Sequence, residues 1–106
     1  MDNYVILPSV NPNKKYDVMF IDPIKPIKKL LSFGGNPEKY SDYTQHKDDE
    51  RKENYIKRHQ VNEDWTNLKT AGTWARYILW NQKTLTKSIK DMEKRFHIKI
   101  TLIKNV

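Results

Sequence analysis

The residue pattern predicts an α+β domain: a small antiparallel sheet packed with about three helices. Three observations predict it. Segments that alternate apolar and polar residues lie toward both ends of the chain. Between them, apolar residues recur at helical spacing. The length, 106 residues, suits one domain with one modest core. Strands at both ends with helices between them are most economically met by a small sheet with helices laid against it.

The elements follow in chain order. Tyr4-Val5-Ile6-Leu7 is a short apolar run stopped by Pro8, and Ser9 to Lys14 is rich in turn residues. Residues 1–14 are therefore expected as an N-terminal arm or a short strand, and residues 15–106 as a single α+β domain. Tyr16, Val18 and Phe20 alternate with Asp17, Met19 and Ile21, which predicts a strand. Pro23 and Pro26 interrupt it because proline removes a ladder donor. Ile27 to Phe33 reads as its hairpin partner, ended by Gly34-Gly35.

A helix is expected over roughly Lys47 to Gln60. Its acidic first turn (Asp48, Asp49, Glu50) and basic last turn (Lys57, Arg58, His59) complement the helix dipole. Asp48 with Lys52 and Glu53 with Lys57 are spaced as i,i+4 pairs. Val61 to Lys69 is a connection that carries Trp65. Thr70 is a suitable cap for a helix running to Trp80, with Ala71, Trp74, Ala75, Ile78 and Leu79 on one face. Thr84 suits the cap of a third helix, Leu85 to Phe96, whose buried stripe is Leu85, Ile89, Met92 and Phe96. Ile98, Ile100 and Leu102 alternate with Lys99 and Thr101, a final strand expected to join the N-terminal hairpin.

Twenty Lys and Arg against 13 Asp and Glu give a net charge of +7. The excess is local. Residues 81–106 hold seven basic and two acidic groups, a net +5, whereas residues 36–80 are balanced with eight of each. Such a basic end attracts phosphates or acidic protein surfaces. The 12 aromatics (three Trp, six Tyr, three Phe) argue against disorder. No apolar run approaches the ~20 residues that span a bilayer, and no signal peptide is read at the start. Cysteine is absent, which excludes disulfides and thiolate metal sites.

Catalytic patterns are few. His46-Lys47-Asp48-Asp49-Glu50 offers hard ligands for Mg²⁺. However, consecutive helical residues point about 100° apart, and an acidic helix start explains all three carboxylates. The chain has no HExxH, Walker loop, GxSxG or GxGxxG pattern. No catalytic residue, metal ligand or cofactor is assigned. The aromatics interleave with Lys47, Arg51, Lys52, Arg58 and Arg76, a mixture that stacks bases and holds phosphates or simply builds a core. Trp74 lies on an apolar stripe and is read as core. Trp65 and Tyr43 lie outside any stripe and are read as contact residues. Arg51, Arg58 and Arg76 serve equally well as partners of Asp42, Asp64 or Asp91.

An ordered series of uncommon residues runs through the middle of the chain: Phe33-Gly34, Tyr40-Ser41-Asp42-Tyr43-Thr44, His46-Lys47-Asp48, Arg51-Lys52, Tyr55 and Arg58-His59. Trp65, Thr70-Ala71-Gly72, Trp74, Arg76, Leu79-Trp80-Asn81, Thr84-Leu85, Ser88-Ile89, Asp91 and Lys94-Arg95-Phe96 continue it. The series resembles a family of small uncharacterised proteins of giant nucleocytoplasmic large DNA viruses. The likeness spans Phe33 to Phe96, 64 of 106 residues. The longer Gly35-to-Lys39 turn, the strand after Phe96 and the N-terminal 25 residues look particular to this protein. The resemblance implies a viral origin and a protein that works by contact.

The expectation is thus a small basic, non-enzymatic, virion-associated structural protein, a minor capsid or cementing component that binds acidic partner surfaces. The alternative is a nucleic-acid-binding protein associated with the viral genome. Its place would be the virion, or the host cytoplasm or nucleus during infection, not a secreted location. The candidate contact residues are Lys28, Lys29, Tyr43, Lys47, Arg51 and Lys52. With them stand Arg58, Trp65, Lys87, Lys90, Lys94 and Arg95.

Overall fold

The computed structural model describes residues 1–104. The chain is an α+β fold with a four-stranded sheet and four helices. The strands are β1 (Asp2–Pro8), β2 (Tyr16–Ile21), β3 (Lys28–Phe33) and β4 (Ile98–Leu102). The helices are α1 (Tyr43–His46), α2 (Asp49–His59), α3 (Ala71–Trp74) and α4 (Leu85–Phe96), and a π turn (Ala75–Leu79) continues α3. Among the described residues no helix is long and apolar enough to cross a membrane.

The sheet order is β3-β2-β1-β4. The β2–β3 hairpin is antiparallel as expected, with a register irregularity at Val18 and Met19. Residues 2–8 form an inner strand, antiparallel to β2 through Tyr4–Phe20 and Ile6–Val18 pairs. The last strand departs from the expected antiparallel sheet. It pairs with β1 rather than with the hairpin, and the pairing is parallel, Tyr4 beside Ile100. The sheet is therefore mixed. The reason lies at the end of α4. His97 adopts a left-handed conformation (φ 55°), the backbone reverses at once, and the Glu93 carboxylate accepts the Ile100 N–H at 2.9 Å. The strand then enters the sheet alongside β1, in the same direction.

One sheet face carries the core. Tyr4, Ile6, Val18, Ile98 and Ile100 meet Trp74, Ile78, Leu79 and Met92 from the helices. Trp74 is the hub, fully buried, with its ring 5.2 Å from Tyr4 and its Nε1–H donating to the Leu68 carbonyl at 2.8 Å. The opposite face is thinly covered. There Asp17 is buried beneath the Ser9–Lys15 turn, accepting from Ser9 Oγ at 2.7 Å and Ser32 Oγ at 2.5 Å. Burial opposes its charge, yet these hydrogen bonds and one from the Val10 N–H hold its carboxyl below the usual range.

Helix boundaries follow their caps. Thr84 accepts the Lys87 N–H and opens α4, and Thr70 accepts the Thr73 N–H and opens α3, as expected. The helix expected from Lys47 begins instead at Asp49, because Asp48 is its cap and accepts from Glu50 and Arg51. Lys47 lies outside it, left-handed at φ 56°, closing the short α1 that the sequence did not predict. The helix expected through Trp80 widens after Trp74 into the π turn, in which the Trp80 N–H reaches back to the Ala75 carbonyl at 3.1 Å.

Candidate functional site

A cleft of about 720 Å³ opens where the β1–β2 turn, the stretch after β3, α2 and the π turn meet. Its floor is apolar and aromatic: Phe33, Tyr55, Ala75, Leu79 and Trp80. Gly34 is needed at this floor. Its φ is +84°, and a Cβ there would fall 2.8 Å from Lys15 Cβ and 3.0 Å from Leu79 Cδ1.

Behind the floor runs a column of stacked rings. Tyr55 lies parallel to Trp80, 4.3 Å between centroids and 4° between planes. Its other face is covered by His59 at 4.2 Å. Trp80 in turn meets His46 at 5.3 Å. Trp80 stands at the end of the π turn, its N–H bonded to the Ala75 carbonyl. Burial, then the nearby Glu63, pushes the Tyr55 phenol well above its usual value, so it stays neutral.

Charge surrounds the floor. Lys14, Lys15, Arg51 and Arg58 line the cleft against two carboxylates, Asp42 and Glu63. Asp42 is buried and committed: it pairs with Lys15 Nζ at 2.5 Å and accepts from the Thr44 N–H as the cap of α1. Glu63 Oε2 stands 3.1 Å from His59 Nδ1, at ion-pair distance but without hydrogen-bond alignment. Lys14, Arg51 and Arg58 are exposed and make no ion pair among the described residues. Arg51, Asn54 and Arg58 line the cleft from one helix. At i, i+3 and i+7 they share a face, with the two guanidiniums rooted about 10 Å apart along the axis.

The predicted contact residues divide. Arg51 and Arg58 belong to the cleft. Lys87, Lys90 and Lys94 form a separate exposed row on α4, at i, i+3 and i+7, and none makes an ion pair among the described residues. Lys28 and Lys29 are exposed at the start of β3 and border a second hollow with Tyr4, Phe20 and Leu68. Lys47 Nζ is exposed and donates to the Thr44 carbonyl at 2.9 Å.

The remaining four are engaged by other side chains or backbone groups of the fold, Arg95 at the surface. Tyr43, expected as a contact residue, is buried, and its hydroxyl donates to Asp49. Lys52 does not pair with Asp48. It turns inward over the Tyr43 ring and donates to the Asn81 carbonyl at 2.5 Å. Its burial, and Arg76 nearby, lower its pKa. Arg95 pairs with Asp91 at 2.6 Å and lies over Tyr77. Trp65 is half-buried, covered by the Arg76 guanidinium 5.4 Å from its ring.

The expected arginine partners resolve similarly. Asp91 takes Arg95 and Asn81, Asp64 takes Thr66, and Asp42 takes Lys15. Arg76 instead donates to the Trp80 carbonyl at 2.8 Å. In the His46-to-Glu50 segment, Asp48 caps α2, Asp49 holds Tyr43, and His46 Nδ1 accepts the Asp48 N–H. Among the described residues no three His, Asp or Glu converge on a metal position.

Sequence reasoning did not single out Lys14, Lys15, His59 or Glu63 as site residues, and Tyr40 entered it only as one of the aromatics that interleave with cations. They come from segments far apart in the chain, and only the fold joins them.

A family model, a family of unknown function (DUF5754), matches residues 4–59, which is 56 of 106 residues. The chain belongs to this family. The DUF5754 pattern includes β1, β2, β3, α1 and α2, and with them the Arg51 and Arg58 wall of the cleft. The DUF5754 match thus takes in the N-terminal strands. No curated protein and no solved structure is detectably similar to the chain.

Proposed function

We propose that this DUF5754 protein is a non-enzymatic binding domain that takes up nucleic acid through the basic cleft. The observation that carries the reading is the set of Lys14, Arg51 and Arg58, exposed and without an ion-pair partner around an aromatic floor. Exposed cations bind phosphates by releasing counterions, and these three have no ion pair to break first. The row Lys87, Lys90 and Lys94 on α4 is a second exposed basic surface, apart from the cleft. The ring-lined base of the cleft, beside these cations, supports bases and phosphates together over an acidic protein surface alone.

The test is titration of a labelled oligonucleotide at several salt concentrations. Binding at about 50 mM salt is expected, with affinity falling steeply as salt rises. Absence of binding at that salt overturns the reading.

A second reading, a virion-associated cementing or minor capsid protein, is favoured by a different surface. Ile24 and Ile27 are 91% and 61% exposed in the β2–β3 loop, and they suit contact with a protein neighbour. Its test is mass spectrometry of purified, nuclease-treated particles. Absence of the protein there removes it.

A further inference from the structure

The cleft holds one exposed ring that rests on the backbone at one side. Tyr40 lines the mouth and is 67% exposed. A Cβ on Gly35 would stand 3.0 Å from Tyr40 Cδ2 and 3.5 Å from its Cγ, so the ring rests against the Gly35 backbone. The other aromatics of the cleft are already occupied. Tyr55 is covered on both faces by Trp80 and His59, and Trp80 is covered by Tyr55 and His46. Among the described aromatics of the cleft, Tyr40 is the one that retains a large solvent-facing surface, a face open to stacking.

We propose that the cleft binds single-stranded nucleic acid, with one unpaired base stacked on Tyr40 and the backbone running along α2 between Arg51 and Arg58. This rests on the nucleic-acid reading above and narrows it. Two features favour a strand over a free nucleotide. The two guanidiniums are rooted about 10 Å apart along one helix face, which suits two phosphates of one chain rather than a single phosphate. Asn54 lies between them and supplies a neutral hydrogen-bonding group to the sugar–phosphate chain. Two features favour a single strand over a duplex. Stacking on a side chain requires a base free of its partner. A recess of about 720 Å³ accommodates a nucleotide-sized group and not a double helix.

The experiment compares Tyr40→Ala and Tyr40→Phe with the unaltered protein. The ligands are a short labelled single strand, the corresponding duplex and the same strand carrying abasic positions. Tyr40 is exposed, so both variants are expected to unfold at the unaltered temperature. Tyr40→Ala should weaken single-strand binding about tenfold or more, Tyr40→Phe should retain it, and the abasic strand should bind as weakly as Tyr40→Ala does the intact one. Duplex binding should be weaker and indifferent to Tyr40. DNA and RNA strands are compared to identify the sugar. Equal binding of single strand and duplex, or an unaltered Tyr40→Ala, overturns the single-strand inference while the nucleic-acid reading stands. If no nucleic acid binds, both fall. Displacement of the strand by polyglutamate as readily as by unlabelled strand also overturns it, in favour of an acidic protein partner.

Discussion

His46 shows how one side chain's protonation is fixed by its surroundings. Its Nδ1 accepts the Asp48 N–H at 2.9 Å, which requires an unprotonated nitrogen there. Burial, and then Arg51, lower its pKa below the usual value of 6.5, while Asp48 and Asp42 oppose the shift. The unfolded chain therefore binds a proton that the folded chain refuses, and between the two pKa values stability rises with pH. Unfolding midpoints should fall as pH is lowered below about 6.5, and His46→Gln should flatten that slope; an unchanged slope in the variant would contradict the assignment. Single residues were legible where a pattern extends through neighbours. Trp74 read as core because Ala71 and Ile78 share its face. Tyr43 did not, since α1 is a single turn and its burial comes from Asp49 and Lys52, residues whose side-chain directions no periodicity reveals.

At the scale of elements, α4 was readable end to end. Thr84, the apolar stripe and the basic last turn all agreed, and the helix spans Leu85–Phe96. Its one unexpected inward residue is Ser88, fully buried, whose hydroxyl accepts the Gln82 N–H at 3.0 Å. The outward row is testable as an element. Replacing Lys87, Lys90 and Lys94 together by Gln should leave thermal stability unchanged. If the row meets phosphates, the slope of log affinity against log salt for a single strand should drop by about two. A slope identical to that of the unaltered protein would place the row outside the interface. The π turn was not readable. Its residues suit an ordinary helix, and the Trp80 that ends it lies parallel to a ring on another helix, a packing contact invisible in local propensity.

For the molecule as a whole, the α+β class was legible from element order, but the strand partners were not. An apolar alternation identifies a strand without saying which neighbour it takes or in which direction. The N-terminal segment illustrates the difference, because an arm and an inner strand share the same short apolar run. Deleting residues 1–8 should abolish cooperative thermal unfolding, since it removes Tyr4 and Ile6 from the core, strips β4 of its sheet partner and bares one edge of β2. A deletion variant that still melts cooperatively would restore the arm. The cleft was illegible for a related reason. Its walls come from four stretches of chain that only the fold brings together. The parallel pairing of β1 with β4 also bears on how the protein is made. Tyr4 and Ile100 are neighbours in the sheet but nearly a full chain length apart in synthesis. A nascent chain carrying β1, β2 and β3 presents one side of β1 with unmatched backbone donors and acceptors until β4 has left the ribosome. Closure of the sheet is therefore a late event, and until then that open edge is the place where a chaperone, or a second nascent chain, can intervene.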